Sequence, residues 1–209
     1  RSHLTDIALV TPAWNNGAIL FFVASRGHHS DVGGISPGSM PPFSKTLDDE
    51  GLHIRSFKIV ENSIFKEKEL QSLFMTPSHP VRNQETVIAD LKAQIAANQR
   101  GIDLLSDLMD EATEEVVITY MQHIQDNAET AVRSMLKKIA SRVNGLHQTG
   151  ILEAEDYLDD GSRIRLQLTI NPDTGEAYFD FTGTDAELPG NLNAPKAVTQ
   201  SAILYALRC

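Results

Sequence analysis

The dipeptide Asn16-Gly17 constrains this chain more than any other feature. Asn-Gly is the strongest short-range hairpin signal, because both residues tolerate the positive φ angles of a tight turn. It sits between residues 7–11 and 18–25, two apolar segments rich in β-branched and aromatic side chains. The pattern predicts an antiparallel hairpin. With Asn16-Gly17 as a two-residue turn, Thr5 faces His28 and Asp6 faces Gly27; a three-residue loop moves His28 opposite Leu4. In either register residues 3–6 and 26–29 meet at the open end. Opposed and diagonal positions there lie about 5–8 Å apart, within reach of long side chains.

That juxtaposition has chemical content. His3, Asp6 and His28, with His29 or Asp31 as further candidates, offer imidazole and carboxylate donors to one ion. The mixture suits Zn, Mn or Fe rather than calcium. Side chains that merely cap turns have the same spacing, so H-x-x-D alone is a weak motif.

Beyond the hairpin, residues 27–45 contain four glycines and three prolines. Connections this long in compact domains are usually functional. Residues 52–60 read as a third strand. From Glu85 the period changes: Ile88, Leu91, Ile95, Asn98, Ile102, Leu105 and Met109 form one helical stripe. A second runs from Val117 to Ile139, and the break at Ala112-Thr113 predicts a helical hairpin. After Gly145, Ile164, Leu166, Leu168 and Ile170 alternate with polar residues, and residues 177–181 return as a partner strand after the Asn171–Gly175 turn. Residues 201–209 read as a helix without a stop signal. The expectation is an α+β fold: an N-terminal β-hairpin with a long Gly/Pro loop, a central helical hairpin, and a C-terminal β-hairpin and helix. It occupies residues 1–209 as part of one domain truncated at both ends.

Charge narrows the partners. With 28 acidic against 18 basic side chains, the formal net charge is −10. Such a chain gains little from phosphate counterion release, so nucleic acid is an unfavourable partner. No basic run favours an anionic membrane surface, and residues 18–24, the longest apolar stretch, fall far short of a bilayer span. The single cysteine, Cys209, cannot form an internal disulfide, and the N-terminal residues do not resemble a signal peptide. A cytoplasmic location is the expectation.

Several blocks are recognisable by wording and order. His3-Leu4-Thr5-Asp6 resembles the H-L-P-D motif of the hydantoinase B/5-oxoprolinase family. Arg26-Gly27-His28-His29-Ser30-Asp31-Val32-Gly33-Gly34, Asp90-Leu91-Lys92-Ala93-Gln94, Asp180-Phe181-Thr182-Gly183-Thr184 and Gly190-Asn191-Leu192-Asn193-Ala194-Pro195 follow in the family's order. The wording is most similar to the B half of ATP-dependent 5-oxoprolinases. The resemblance implies metal ligation by His3, Asp6 and His28, with His28 rather than His29 as the second imidazole. Thr5 stands where the family usually has proline.

The resemblance also implies a reaction, the ATP-coupled hydrolytic opening of 5-oxoproline to glutamate. A companion A-type half, in the same or a separate chain, would use ATP and Mg to phosphorylate the lactam oxygen. The B-type half would add water to the activated carbon. The sequence contains no G-x-x-x-x-G-K-[ST] loop, in keeping with that division. The piece alone is expected to be inactive, and the whole protein to form a homo-oligomer. Alternatives within the family are a hydantoinase-type protein acting on N-methylhydantoin or another cyclic ureide, and an acetone-carboxylase-type component; a non-catalytic supporting domain is a third reading.

Two further carboxylates are catalytic candidates. Asp31 either orients a ligand histidine or caps the glycine loop. Asp90, four residues before Gln94 on one helix face, either contacts substrate or belongs to a polar patch. Turn chemistry accounts for Asp180, Asn191 and Asn193, and an acidic turn for Asp156, Asp159 and Asp160. His53, His79, His123 and His147 read as ordinary surface or helix histidines.

Overall fold

The hairpin is built from β1 (Asp6–Asn15) and β2 (Ala18–His28), and Asn16 and Gly17 have φ of +48° and +80°. Two positive angles are what a twist-matched two-residue turn requires. The turn sets Asn15 opposite Ala18 and Trp14 opposite Ile19. A β-bulge follows, so that Ala13 pairs with Phe21 and the remaining ladder ends with Asp6 directly opposite His28. Both registers read from the sequence are therefore corrected: they assumed an unbroken ladder, and one extra residue in β2 slides every later partner by one. The structure is a computed structural model that describes residues 3–146 and 151–209. His147 lies outside the described residues.

The chain divides into two units, Arg1–Glu111 with Leu188–Ala202 and Ala112–Glu187 with Ile203–Cys209. In the first, Leu4 and Ile7 of the hairpin bury against Val32, Leu52, Val81, and the inner faces of two helices. These are α2 (Glu67–Phe74), which contributes Leu70 and Phe74, and α3 (Gln84–Ala112), which contributes Val87, Ile88 and Leu91. Preceding them is one turn of helix, α1 (Leu47–Glu50). Thr46 accepts from the Asp49 amide while the Asp49 carboxylate accepts from the Thr46 amide, a reciprocal cap.

The expected third strand over residues 52–60 is not formed. That segment is irregular up to a two-residue pair, β3 (Val60–Glu61) with β4 (Ile64–Phe65). Its apolar character has another cause: Leu52 is buried, and Ile54, Phe57 and Ile59 pack on the same core from an irregular strap. The Leu52 amide donates to Val32 O at 2.8 Å in place of a ladder.

Helix α3 carries two buried polar residues on its core face, Gln94 and Asn98. Both bond to the hairpin. Gln94 Nε2 donates to Ile7 O at 3.0 Å, and Asn98 Nδ2 donates to Leu9 O at 3.3 Å and Thr11 Oγ1 at 3.0 Å. The approach is close enough to require glycine: a Cβ on Gly101 would lie 2.8 Å from Val23 Cγ1.

In the second unit, α4 (Glu114–Leu146) starts directly after Thr113, which adopts a left-handed φ of +68°. The expected C-terminal hairpin gains a strand. An antiparallel sheet orders β5 (Ile151–Tyr157), β6 (Arg163–Ile170) and β7 (Ala177–Asp180) as β5-β6-β7. Strand β5 escapes a periodicity reading because its charged side chains serve cross-strand pairing: Glu153 meets Arg165 at 3.3 Å and Glu155 meets Arg163 at 3.6 Å. Leu136, Ala140 and Ile170 form this unit's small core. Helix α5 (Lys196–Arg208) begins five residues earlier than its apolar pattern indicates. Helices and small antiparallel sheets together make the α+β fold that the sequence predicts. Among the described residues no helix is long and apolar enough to cross a membrane.

Candidate metal centre

Asp6 opens β1 and His28 closes β2, so the bulged register makes them direct cross-strand neighbours. His3 lies three residues before Asp6, and the His29 amide, bonded to Thr5 O at 2.9 Å, ties this approach to the end of β2. Asp6 Oδ1 is 2.8 Å from both His3 Nε2 and His28 Nδ1. The two imidazole nitrogens are 3.3 Å apart. Arg26, opposite Ala8 and so diagonal to Asp6, points to the same face and donates from Nη2 to the other carboxylate oxygen, Oδ2. One oxygen of Asp6 thus faces the histidines and the other is held by a guanidinium.

This donor set fits a divalent ion. Two donors each about 2.1 Å from a common ion stand about 3.0–3.4 Å apart at octahedral to tetrahedral angles. The three separations, 2.8, 2.8 and 3.3 Å, fall at or just inside that spacing. Burial pulls the Asp6 carboxyl upward, yet hydrogen bonds from His28 and Arg26 and the charges of His3 and Arg26 outweigh it and hold its pKa below the usual aspartate value. The carboxylate is therefore ionised and able to ligate near neutral pH.

The other candidates from the sequence lie elsewhere. His29 is 1% exposed, with Nε2 2.9 Å from Gln94 Oε1. The Gln94 amide nitrogen donates to Ile7 O, so its carbonyl is the acceptor and His29 carries a proton on Nε2. The structure does not bring His29 into the three-residue cluster. Asp31 Oδ1 accepts from Gly33 N at 3.0 Å, Ser39 Oγ at 2.8 Å and Arg82 Nη1 at 2.8 Å, while Oδ2 accepts from Arg82 N at 3.1 Å. Of the two readings of Asp31, these contacts support capping of the glycine loop. Asp90 is half exposed on α3, 3.9 Å from His29 Nδ1. Gln94, its helix-face companion, is turned inward to the hairpin.

A concavity that turn chemistry does not explain lies beside the cluster. His3 forms part of the wall of an open pocket of about 340 Å³, together with Ser39, Met40, Pro41, Asn191 and Leu192. Asn191 Nδ2 donates to Pro41 O at 2.6 Å, joining segments 150 residues apart. Its only signal in the sequence is the pair Asn191 and Asn193 flanking a leucine.

The family model described as Hydantoinase B/oxoprolinase matches residues 1–209. The chain is 50% identical to 5-oxoprolinase 1 of Arabidopsis thaliana, over 100% of this chain and 18% of that protein. It is also 50% identical to the 5-oxoprolinase of Dictyostelium discoideum, over 99% of this chain and 16% of that protein. Identity to the B component of a putative D-/L-hydantoinase from a Pseudomonas species is 22%, over 98% of this chain and 34% of that protein. The chain thus spans less than a fifth of the length of the two 5-oxoprolinases. The crystal structure of ATP-dependent caprolactamase from Pseudomonas jessenii shares the fold, with a TM-score of 0.81 at 22% identity over 98% of this chain and 34% of that one. The chain belongs to the hydantoinase B/oxoprolinase family.

Proposed function

We propose that this chain is part of a 5-oxoprolinase and serves the step in which water opens an activated lactam to give glutamate. The observation that carries this reading is 50% identity to 5-oxoprolinases along the whole chain, against 22% to the hydantoinase component. That contrast favours 5-oxoproline over a cyclic ureide.

The chemistry divides in two. An unstrained amide resists water; phosphorylation of the lactam oxygen makes the ring carbon electrophilic, so that water adds to it. The C–N bond then breaks with the nitrogen leaving as the amine, and hydrolysis of the resulting acyl phosphate gives glutamate and phosphate. In this reading a companion A-type half, in the same or a separate chain, performs that activation with ATP and Mg. His3, Asp6 and His28 would hold a divalent ion, Zn, Mn or Fe. When bound, such an ion supplies Lewis-acid polarisation at the reacting carbon. The remaining work belongs to the chain. Arg26 fixes the Asp6 carboxylate so that Oδ1 faces both imidazoles. Gln94 and Asn98 lock the hairpin onto α3, which keeps the ligand-bearing end in place.

The test uses the full-length protein with any companion half, given ATP and either 5-oxoproline or N-methylhydantoin. Glutamate formation coupled to ATP cleavage is expected with the first. Turnover of the hydantoin alone, or bicarbonate-dependent product formation from a ketone, would replace this reading with a hydantoinase or a carboxylase.

A further inference from the structure

The pocket beside the candidate metal centre combines hydrogen-bonded loop segments with exposed apolar side chains. Leu192 is 71% exposed and Met40 59% exposed. Isolated exposed apolar residues need no explanation, but these two line one concavity with His3 in its wall. Each is held by a neighbour that spends its polar groups on the loop itself. Asn193 accepts from Leu188 N at 2.9 Å and donates to Leu188 O at 2.8 Å and Gly190 O at 3.0 Å, closing the turn that presents Asn191 and Leu192. On the facing wall Ser39 is buried in a left-handed conformation, φ +53°. Its Oγ accepts from Val32 N at 2.7 Å and lies 2.8 Å from Asp31 Oδ1 and 2.6 Å from Gly33 O, which fixes the backbone presenting Met40. Ordering side chains before a ligand arrives reduces the entropy lost on binding.

Asn191 adds directionality. One amide hydrogen goes to Pro41 O at 2.6 Å, which holds the carboxamide plane. Its Oδ1 makes no hydrogen bond within the described residues, which leaves an acceptor on a pocket-lining side chain. Glu50, which accepts from Ser44 Oγ at 2.9 Å, also lines the wall and makes that side unfavourable for an anionic group.

We propose that this pocket is the subsite for the ring of a small cyclic amide, with Asn191 Oδ1 accepting the ring N–H and Met40, Pro41 and Leu192 covering the ring methylenes. A carboxylate on the substrate points away from Glu50. The assignment rests on the reading of the chain as part of a cyclic amide hydrolase, and it gives Asn191 and Leu192 a role beyond turn chemistry.

The experiment measures KM, kcat and metal content in the full-length protein with any companion half, for wild type, Asn191→Ala, Asn191→Asp and Leu192→Ala. Loss of one neutral hydrogen bond raises KM for 5-oxoproline about three- to tenfold in Asn191→Ala, with metal content unchanged. Asn191→Asp separates binding from tethering: its carboxylate accepts a ring N–H but cannot donate to Pro41 O. Recovery of most of the KM in Asn191→Asp supports the subsite. Equal losses in both variants would make Asn191 only a tether, and unchanged KM in both would remove it altogether; either result overturns the proposal. Leu192→Ala is expected to raise KM without loss of metal, and an unaltered KM there overturns the apolar wall. If wild type turns over a different cyclic amide, the 5-oxoproline reading fails alone, and the same variants judge the subsite with that amide. If wild type opens no cyclic amide, both fail.

Discussion

At the residue scale, the Asp6 carboxylate decides what the cluster can do. It is shared between two histidines on one oxygen and Arg26 on the other. Groups that hydrogen-bond a ligand carboxylate orient it, and their loss typically weakens metal affinity about 10- to 100-fold. Arg26→Ala is therefore expected to lower affinity for Zn or Mn by that factor, whereas His28→Ala abolishes stoichiometric binding; metal titration of the full-length protein measures both. Retention of full affinity in His28→Ala would remove the metal reading. Asp31 is a contrasting case, an acid whose partners are structural. Burial raises its pKa, but Ser39, the Gly33 and Arg82 amides and the Arg82 guanidinium outweigh that and hold it below the ordinary aspartate value. The sign follows: a depressed folded pKa contributes stability above the unfolded value, about 3.9, and that stability is lost as pH falls through the folded pKa. Asp31→Asn is expected to cost about 1–2 kcal/mol near neutral pH by weakening the bonds from Arg82, Ser39 and Gly33, solvent screening the part-exposed guanidinium. Denaturant unfolding at neutral pH and below pH 4 should show the gap between variant and wild type closing with acid. In the sequence, the turn and a count bring residues 3–6 and 26–29 together, and the family resemblance singles out His3, Asp6 and His28 among them; the pairing of Asp6 with His28 depends on the bulge. The loop-capping role of Asp31 is one of its two local readings, but its Arg82 partner, 51 residues on, and the inward bond of Gln94 to Ile7 O, 87 residues away, have no local signal.

At the element scale, the hairpin shows what a turn signal can and cannot determine. Asn16-Gly17 sets the pairs nearest the turn, but the bulge past Trp14 shifts every later pair by one and has no local signature. The bulge matters, because it moves His28 from Thr5 or Leu4 to Asp6, onto the face where the carboxylate lies. The strap at residues 52–59 is not a strand because its apolar side chains reach the core from irregular backbone, and burial does not require a ladder. The contact between α3 and β2 carries a prediction of its own. Gly→Ala within a helix normally stabilises by about 1 kcal/mol. At Gly101 the new Cβ would stand 2.8 Å from Val23 Cγ1, a clash that reverses the sign. Gly101→Ala is expected to destabilise by about 1–3 kcal/mol. Adding Val23→Ala removes the clashing methyl, so thermal unfolding of the double variant should recover much of the loss. Simple addition of the two single effects would mean that α3 does not pack on β2 as closely as this.

At the scale of the whole molecule, the three donors sit where chain segments must be joined. His3 precedes the first strand, Asp6 begins it, and His28 ends the second. An ion bound by all three would link the incoming chain to both strands of the hairpin in the folded state. The unfolded chain offers the same side chains without their geometry, so the ion favours folding. With free ion at a hundredfold over its dissociation constant, that preference adds about 2.7 kcal/mol. Removing the ion with a chelator is then expected to lower the melting temperature of the full-length wild-type protein, and re-addition of Zn or Mn to restore it. Asp6→Ala supplies the control. It begins less stable, because it takes a carboxylate partner from the Arg26 guanidinium, but its melting temperature should not respond to chelator. An equal response in both proteins would place the stabilising ion outside this cluster. No response in wild type would leave His3, Asp6 and His28 as a hydrogen-bonded strand end, which is the other account that their spacing allows.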